Sequence, residues 1–390
     1  MYRIRTMNKI SASGLSVLDK LYFQVGDNVD KPHGILVRSA DMKEYPFPKS
    51  LRAIARAGAG VNNIPVDRCT ENGIVVFNTP GANANAVKEL VLAALLVSSR
   101  DFVAASNWIH RQADEGANVA EAVEKGKGQF AGPEIKGKTL GVIGLGAIGV
   151  LVANAAIKLG MDVYGYDPYL SVDTALRLDR HVHHAKELDE IFDKADYITI
   201  HVPYNAQTRH TIDAEAISKM KGNVRVINLA RGELVDDDAM IEALNTGRVA
   251  RYVTDFPNEK IINAKNVVAI PHLGASSPES EQNCAIMAAR QLKDYLENGN
   301  IQNSVNLPNV YMERSGVARL CLIHRNIPAM LASIMSVLSK EGANVEHMTN
   351  KSRGEYAYTM IDVDSTISDA LRLELAAIDN VIRVRILQMH

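Results

Sequence analysis

Between residues 140 and 157 the chain reads LGVIGLGAIGVLVANAAI, and this run limits the fold more than any other stretch. It is almost long enough to span a bilayer, yet four glycines in its first ten positions make a continuous helix there costly. A buried strand, a tight turn and a helix satisfy the same residues. Gly144, Gly146 and Gly149 then stand at G-x-G-x-x-G spacing between strand and helix. The first permits the turn, the second lets a pyrophosphate approach the backbone, and the third lets helix and strand pack closely. The helix start, Ala147 and Ile148 included, turns free N–H groups and the positive dipole end toward those phosphates.

The next strand-like run, MDVYGYD, closes on Asp167, where a carboxylate can accept hydrogen bonds from ribose hydroxyls and repel a 2′-phosphate. No arginine follows in DPYLSVD, so NAD is expected rather than NADP. Later strand ends deliver further candidates to the same crevice: His201, Val202 and Pro203 in ITIHVP, Leu229 and Ala230 in INLA, Asp255 in YVTDF, and His272 and Gly274 in PHLG.

The rhythm around this motif is regular. TLGVIG, MDVYGYD, ADYITIHVP, NVRVINLA, ARYVTDF and NVVAIPH alternate with helical segments or loops, which predicts a six-stranded, doubly wound Rossmann sheet. Before it, GILVRSA (34–40), LRAIARAGAG (51–60) and GIVVFNTPG (73–81) alternate with helical patterns and predict a second parallel α/β sheet of flavodoxin-like type. Residues 83 to about 111 read as one long helix, and the polar, glycine-rich stretch 115–138 as a crossing between units. A helix over 278–298 is expected to return to the first domain. The polar stretch 303–316 reads as a linker, and from Val317 the order is βαββαβ, a ferredoxin-like pattern. The expected division is 1–98 with 278–305, then 99–277, a linker over 306–316, and a last domain over 317–390.

Composition narrows the partners. The 43 basic and 45 acidic residues leave a net charge of −2, so no dominant positive field draws nucleic acid or anionic membrane, and a small molecule is the expected partner. Cys69, Cys284 and Cys321 lie far apart, which argues against a disulfide framework or a thiolate zinc site and fits a reducing compartment. MYRIRTMNKISASG lacks the apolar core of a secretory leader, so a cytoplasmic location is expected. His181, His183 and His184 in HVHHA have no paired carboxylates nearby and read as a solvated loop, with no metal expected.

Three chemically apt residues stand at or just past strand ends: Arg231 in INLARGELVD, Glu259 in TDFPNEK and His272 in AIPHLGAS. Hydride transfer between a dinucleotide and a 2-keto acid needs a cation for the carboxylate, a proton donor for the carbonyl oxygen and a partner that sets the donor's protonation. These residues supply that set.

GLGAIG, INLARGELVD and PHLGA, in this order, resemble the signatures of the D-2-hydroxyacid dehydrogenase family over residues 34 to about 305. The resemblance implies a substrate domain, a nucleotide domain and an active site in the cleft between the two. It gives Arg231 to the substrate carboxylate, makes His272 the acid–base and pairs Glu259 with it. The segment after Lys260 is shorter than in many members of the family. GILVRSA and ARAGAGVNNIP resemble the phosphoglycerate dehydrogenase members, which implies oxidation of D-3-phosphoglycerate to 3-phosphohydroxypyruvate, the first step of serine biosynthesis. Arg38 and Ser39 would grip the phosphate, the backbone of Ala59, Gly60 and Val61 would contact the carboxylate, and Asn78, after the strand in VFNTPG, is a further substrate-binding candidate. A hydroxypyruvate or glyoxylate reductase and a non-catalytic NAD-sensing protein stay open as alternatives. The last domain, with IHRNIPAML, resembles an ACT regulatory module. This implies L-serine as an effector near His324, Asn326 and Asn344, side-by-side pairing, and a homodimer or homotetramer. Pro328-Ala329 stands where such modules often have proline-glycine.

Overall fold

The computed structural model describes residues 1–388 and divides into two units, Met1–Asn83 with the chain from Pro278 onward, and Ala84–Ser277. In the first unit, β1 (Tyr2–Met7), β2 (Phe23–Gly26), β3 (Gly34–Val37), β4 (Ala53–Arg56) and β5 (Val75–Phe77) form a parallel sheet in the order β2-β1-β3-β4-β5. GILV and VVF are buried at every position, as strands covered on both faces must be. The helix Pro278–Asn298 lays Ala285, Ala288, Ala289, Leu292 and Tyr295 into this core. These small residues let it lie close, and a Cβ added to Gly14 would stand 2.7 Å from the Ala285 carbonyl carbon.

The second unit holds β6 (Thr139–Ile143), β7 (Asp162–Tyr166), β8 (His183–His184), β9 (Tyr197–Ile200), β10 (Val224–Asn228), β11 (Val249–Thr254) and β12 (Val267–Ala269). All pairs are parallel in the order β12-β11-β10-β9-β6-β7-β8, the Rossmann order with one strand added, so the order reverses between β6 and β9. Seven strands replace the expected six because His183 and His184 pair with Tyr164 and Gly165. Both are exposed, His183 stacking on Tyr164 at 4.6 Å, so a strand edge stands where a loop was expected. Among the described residues no group of three His, Cys, Asp or Glu could hold a metal, and no helix is long and apolar enough to cross a membrane.

Two expectations about helices change. The single helix over 83–111 is broken into Ala84–Ser99 and Phe102–Asp114, because Asp101 caps the second by accepting the Ala104 N–H (2.9 Å) and is fixed there by Arg251. Ala84–Ser99 groups with the second unit, so the boundary lies at 83/84 and not 98/99: Val87, Val91 and Leu95 pack with Val150 and Ala153, and Ser99 bonds Tyr197 (2.7 Å). The crossing 115–138 contains the helix Val119–Gly126 and a 3-10 turn whose Phe130 meets Trp108.

The chain after residue 300 departs most from expectation. The polar stretch read as a linker is built into the first unit: Asn306 bonds the Val76 N–H, the Ile74 carbonyl and Thr70, and Ser304 bridges to Phe77. Its polar residues satisfy backbone groups along β5. Beyond it, β13 (Ala318–Arg325), β14 (Val345–Arg353), β15 (Tyr356–Val363) and β16 (Val381–Gln388) form an antiparallel sheet in the order β14-β15-β13-β16, with helices Met330–Lys340 and Asp369–Ala376 giving the expected βαββαβ order. Leu320 and Leu322 face those helices. The alternate residues Cys321 and Ile323, with Tyr358 and Met360, join the core around Tyr295 and Leu296, so the expected separate domain shares its hydrophobic core with the first sheet. Arginines fix the joint. All five N–H groups of buried Arg319 are used, on Asp362 and on the carbonyls of Asn298, Met312 and Glu313, while Arg385 bonds the Tyr295 and Leu296 carbonyls and Arg353 that of Ser304.

Candidate functional site

In the second unit the glycines behave as their spacing implies. Gly144 has φ +91°, and a Cβ there would lie 2.9 Å from the His201 carbonyl; a Cβ on Gly149 would collide with the Gly144 carbonyl. A Cβ on Gly146 would meet nothing within 4 Å, so this position faces open space at the start of the helix Ala147–Lys158. Gly146 and Ala147 are exposed, and the first-turn N–H groups of Ala147 and Ile148 have no intrahelical acceptor. Asp167, one strand over, is pinned beside the loop because it accepts the Leu145 and Tyr169 N–H groups, both at 2.9 Å.

Two buried polar atoms nearby lack a partner. His201 bonds Thr199 at 2.9 Å through Nε2, while its Nδ1 has none, and burial lowers its pKa to about 4, so the ring is neutral near pH 7. Asp255 accepts the Gly274 N–H (3.1 Å) through Oδ2 and leaves Oδ1 bare. Burial raises its carboxyl above the usual range, opposed by the Gly274 N–H and by the charges of His272 and Arg231. An open cradle, free helix N–H groups and two unmet atoms in the crevice where strand order reverses fit a bound dinucleotide. Val202 and Ala230 are half-buried, Pro203 is exposed and Leu229 is buried along the same strand ends.

Arg231 and His272 come together on one ring. The Arg231 guanidinium lies 5.7 Å from the Phe256 centroid, and His272 packs against the same phenyl at 4.5 Å. Both are exposed and carry no carboxylate partner among the described residues. Asn228, fully buried at the end of β10, holds the Arg231 turn by donating to its carbonyl (2.7 Å) while accepting the Ala230 N–H (3.1 Å). Glu259 is a departure: it is exposed, and no ion pair joins it to His272 among the described residues. Asn258 turns toward Asp237 (2.7 Å) and Lys260 toward Asp238 (2.8 Å), which holds that loop on the helix Asp237–Thr246.

In the first unit, Arg38 pairs with Glu281 at 2.7 Å, and both side chains stay partly exposed. Its carbonyl accepts from Arg56, which also bonds the Gly60 carbonyl and so shapes the loop of Ala59, Gly60 and Val61. The Ser39 N–H donates to Asn8 (3.0 Å), and the Asn78 side chain donates to the Ala59 carbonyl (2.6 Å). Arg38, Ser39, the 59–61 loop and Asn78 therefore lie at the ends of adjacent strands β3, β4 and β5.

Comparison with known proteins decides the family. Residues 92–274 match the D-isomer specific 2-hydroxyacid dehydrogenase, NAD binding domain. The chain is 32% identical over 352 residues to the D-3-phosphoglycerate dehydrogenase of Escherichia coli K12, covering 87% of this chain and 82% of that protein. The chain belongs to the D-2-hydroxyacid dehydrogenase family. It is also 36% identical over 305 residues to the D-3-phosphoglycerate dehydrogenase of Methanocaldococcus jannaschii, covering 76% of this chain, and it spans about half, 55%, of that relative's length. The structure of NAD+-bound 3-phosphoglycerate dehydrogenase from Entamoeba histolytica superposes with a TM-score of 0.61 at 26% identity, covering 78% of this chain and 98% of that one. The second unit thus contains the NAD-binding domain of the D-2-hydroxyacid dehydrogenase family.

Two residues of this site carry weak sequence signals. Asn228 is a polar residue ending an apolar strand, which is a visible anomaly, whereas Phe256 looks like any loop aromatic until Arg231 and His272 meet on it. The residues expected to hold an effector do not meet within one chain. His324 is buried, with both ring nitrogens engaged by the Arg325 carbonyl and Thr359 at 2.8 Å. Asn326 follows the Arg325 end of β13, while Asn344 precedes β14 at the Ala318 end, so the sheet's length separates them.

Proposed function

We propose that the protein oxidises D-3-phosphoglycerate to 3-phosphohydroxypyruvate with NAD. The observation that carries this reading is the meeting of Arg231 and His272 on Phe256 beside the dinucleotide crevice; the phosphoglycerate dehydrogenase relatives supply the substrate. Gly146 and Asp167 would hold NAD, which would supply the hydride acceptor for carbon 2. Arg231 holds the substrate carboxylate through two parallel hydrogen bonds and polarises the carbon–oxygen bond, and neutral His272 takes the hydroxyl proton as the carbonyl forms. Glu259 favours the imidazolium once it reaches the histidine, which requires the loop that Asn258 and Lys260 hold on Asp237 and Asp238 to shift. The first unit binds the phosphate through Arg38 and Ser39 once Arg38 exchanges Glu281 for it.

A second reading rests on that same pair: if Arg38 stays on Glu281, an unphosphorylated keto acid such as hydroxypyruvate or glyoxylate is the better substrate. Initial rates with D-3-phosphoglycerate and NAD, against hydroxypyruvate and glyoxylate with NADH, decide between the two readings. The first requires the highest kcat/KM for the phosphorylated pair and a loss of about 100-fold or more in His272→Ala. Equal rates with and without the phosphate would overturn it, and NADH binding without turnover of any keto acid would leave an NAD-sensing protein.

We also take the last sheet as an ACT-type regulatory module that binds L-serine between two copies of a homodimer or homotetramer. Antiparallel pairing of two β14 edges would bring Asn326 of one copy toward Asn344 of the other, which one chain cannot do. Serine at millimolar concentration should slow wild type and spare Asn344→Ala; equal inhibition of both would place the effect at the active site.

A further inference from the structure

One face of the helix Pro278–Asn298 borders a cavity of about 520 Å³ in the first unit, opposite Ala82 and the segment around Asn300 and Asn303. A smaller cavity of about 330 Å³ shares Asp294, Asn300 and Gln302 with it and reaches Lys351 on β14. Arg290 and Asp294 stand one turn apart on the helix and both line the larger cavity. Opposite charges at that spacing are within reach of each other, although the order with the cation first is the weaker one. Here they do not pair: Asp294 Oδ1 accepts the side-chain amides of Asn298 (2.8 Å) and Asn300 (3.2 Å), while Arg290 is exposed and makes no hydrogen bond or ion pair among the described residues. Gln291 and Asn300, at 7% and 6% exposure, give the recess amide walls held by their own hydrogen bonds.

A free guanidinium and a carboxylate with an unused oxygen, lining one recess, complement a ligand that carries both charges. A simple anion would face Asp294, and a simple cation would face Arg290. We propose that this cavity binds a free α-amino acid, its carboxylate on Arg290 and its ammonium on Asp294. The occupied cavity would also act on the loop after β5. Gln291 lines it, donates to the Asn78 carbonyl (2.9 Å) and accepts from Asn303 (2.7 Å), whose carbonyl in turn accepts the Asn78 N–H (3.3 Å). The binding stands alone; its effect on catalysis rests on the proposed dehydrogenase function and on Asn78 being the substrate-binding residue that the sequence leads one to expect.

The test uses the full chain and the twenty standard L-amino acids, followed by saturation-transfer NMR and calorimetry, with propionate and propylamine as probes carrying one charge each. At least one amino acid is expected to bind with a Kd below about 1 mM while neither probe does at that concentration. Arg290→Glu should weaken that binding by about tenfold or more and leave NADH affinity and melting temperature unchanged, whereas Arg290→Lys retains part of it. With the amino acid bound, the KM of the oxidised substrate should shift and the KM of NAD should not. No binding by any amino acid overturns the proposal, as does binding that Arg290→Glu leaves intact, which would place the amino acid on another surface. Binding lost in Arg290→Glu with an unmoved KM keeps the site and removes its link to Asn78.

Discussion

Asn228 makes the Arg231 turn by donating to one backbone group and accepting another, both within one buried side chain. Asn228→Ala should lower kcat/KM by about 10- to 100-fold through a misplaced guanidinium, with NADH binding nearly intact. A calorimetric NADH titration beside the kinetics checks this, and equal losses in both would mean the whole crevice had moved. His201 offers a second test through stability. Burial depresses its pKa from the usual 6.5 to about 4, so between these values the unfolded chain takes up a proton that the folded chain refuses. Its contribution is full above about pH 6.5 and is lost as pH falls toward 4. His33 in the first unit behaves alike, through burial first and then the charges of Arg52 and Arg3. Melting temperature should fall from pH 6.5 to 5, and less steeply in His201→Gln; a flat wild-type profile would contradict the buried neutral ring. At this scale the sequence is most readable where geometry is local. Gly144, Gly146, Gly149 and Asp167 lie within one βαβ unit, so their spacing carried their positions. The pairing of Glu259 with His272 depends on a loop whose course Asn258 and Lys260 decide through Asp237 and Asp238, contacts that no local pattern announces.

Elements were legible when an apolar period ran unbroken, and less so where a capping residue or an unusual backbone intervened. The Ser99–Asp101 break is written in a capping aspartate inside an otherwise helical pattern. Ala329 adopts φ +63° at the start of the helix Met330–Lys340, a left-handed position that a glycine would take freely, so this chain holds the turn at a cost of roughly 1–2 kcal/mol. The strand β13 shows how an alternating pattern can hide a joint. ARLCLIHR reads as a strand of a small domain, but its residues facing away from the two helices bury Arg319 and Cys321 against the helix Pro278–Asn298. Arg319→Met should destabilise the protein by about 3–5 kcal/mol, because Asp362 is left charged and unpaired inside. Adding Asp362→Leu should restore part of that loss and not all, since the carbonyls of Asn298, Met312 and Glu313 still lack their donors. Urea unfolding of the two variants and wild type measures the order. A double variant as stable as wild type would show that those carbonyls find water instead.

At the scale of the molecule, two units were expected to be three. The glycine fingerprint and the strand rhythm announce the Rossmann unit, but the merging of the last sheet with the first is a matter of tertiary contact. Polar residues such as Arg319 and Arg385 look like surface in a sequence and become interior hydrogen-bond donors once two sheets share a core. The shared core includes Ile4, Leu36, Tyr295 and Leu296 from one side and Cys321, Ile323, Tyr358 and Met360 from the other. Fully burying each large apolar side chain contributes roughly 1.5–3 kcal/mol, so losing one side of the core removes an amount comparable with the 5–15 kcal/mol that holds a typical domain together. A chain ending at Gly316 should therefore fail to fold its first unit, whereas Ala84–Ser277, whose core lies within its own residues, stays folded. Such a chain should still quench or enhance NADH fluorescence and have no dehydrogenase activity. In the full chain, native-state hydrogen exchange should show the amides of β13, β15 and β16 opening together with those of β3 and β4 at one denaturant concentration. If the last sheet instead opens at lower denaturant while β3 and β4 stay protected, it is an independently melting layer, and its arginines hold a surface that the first sheet does not need.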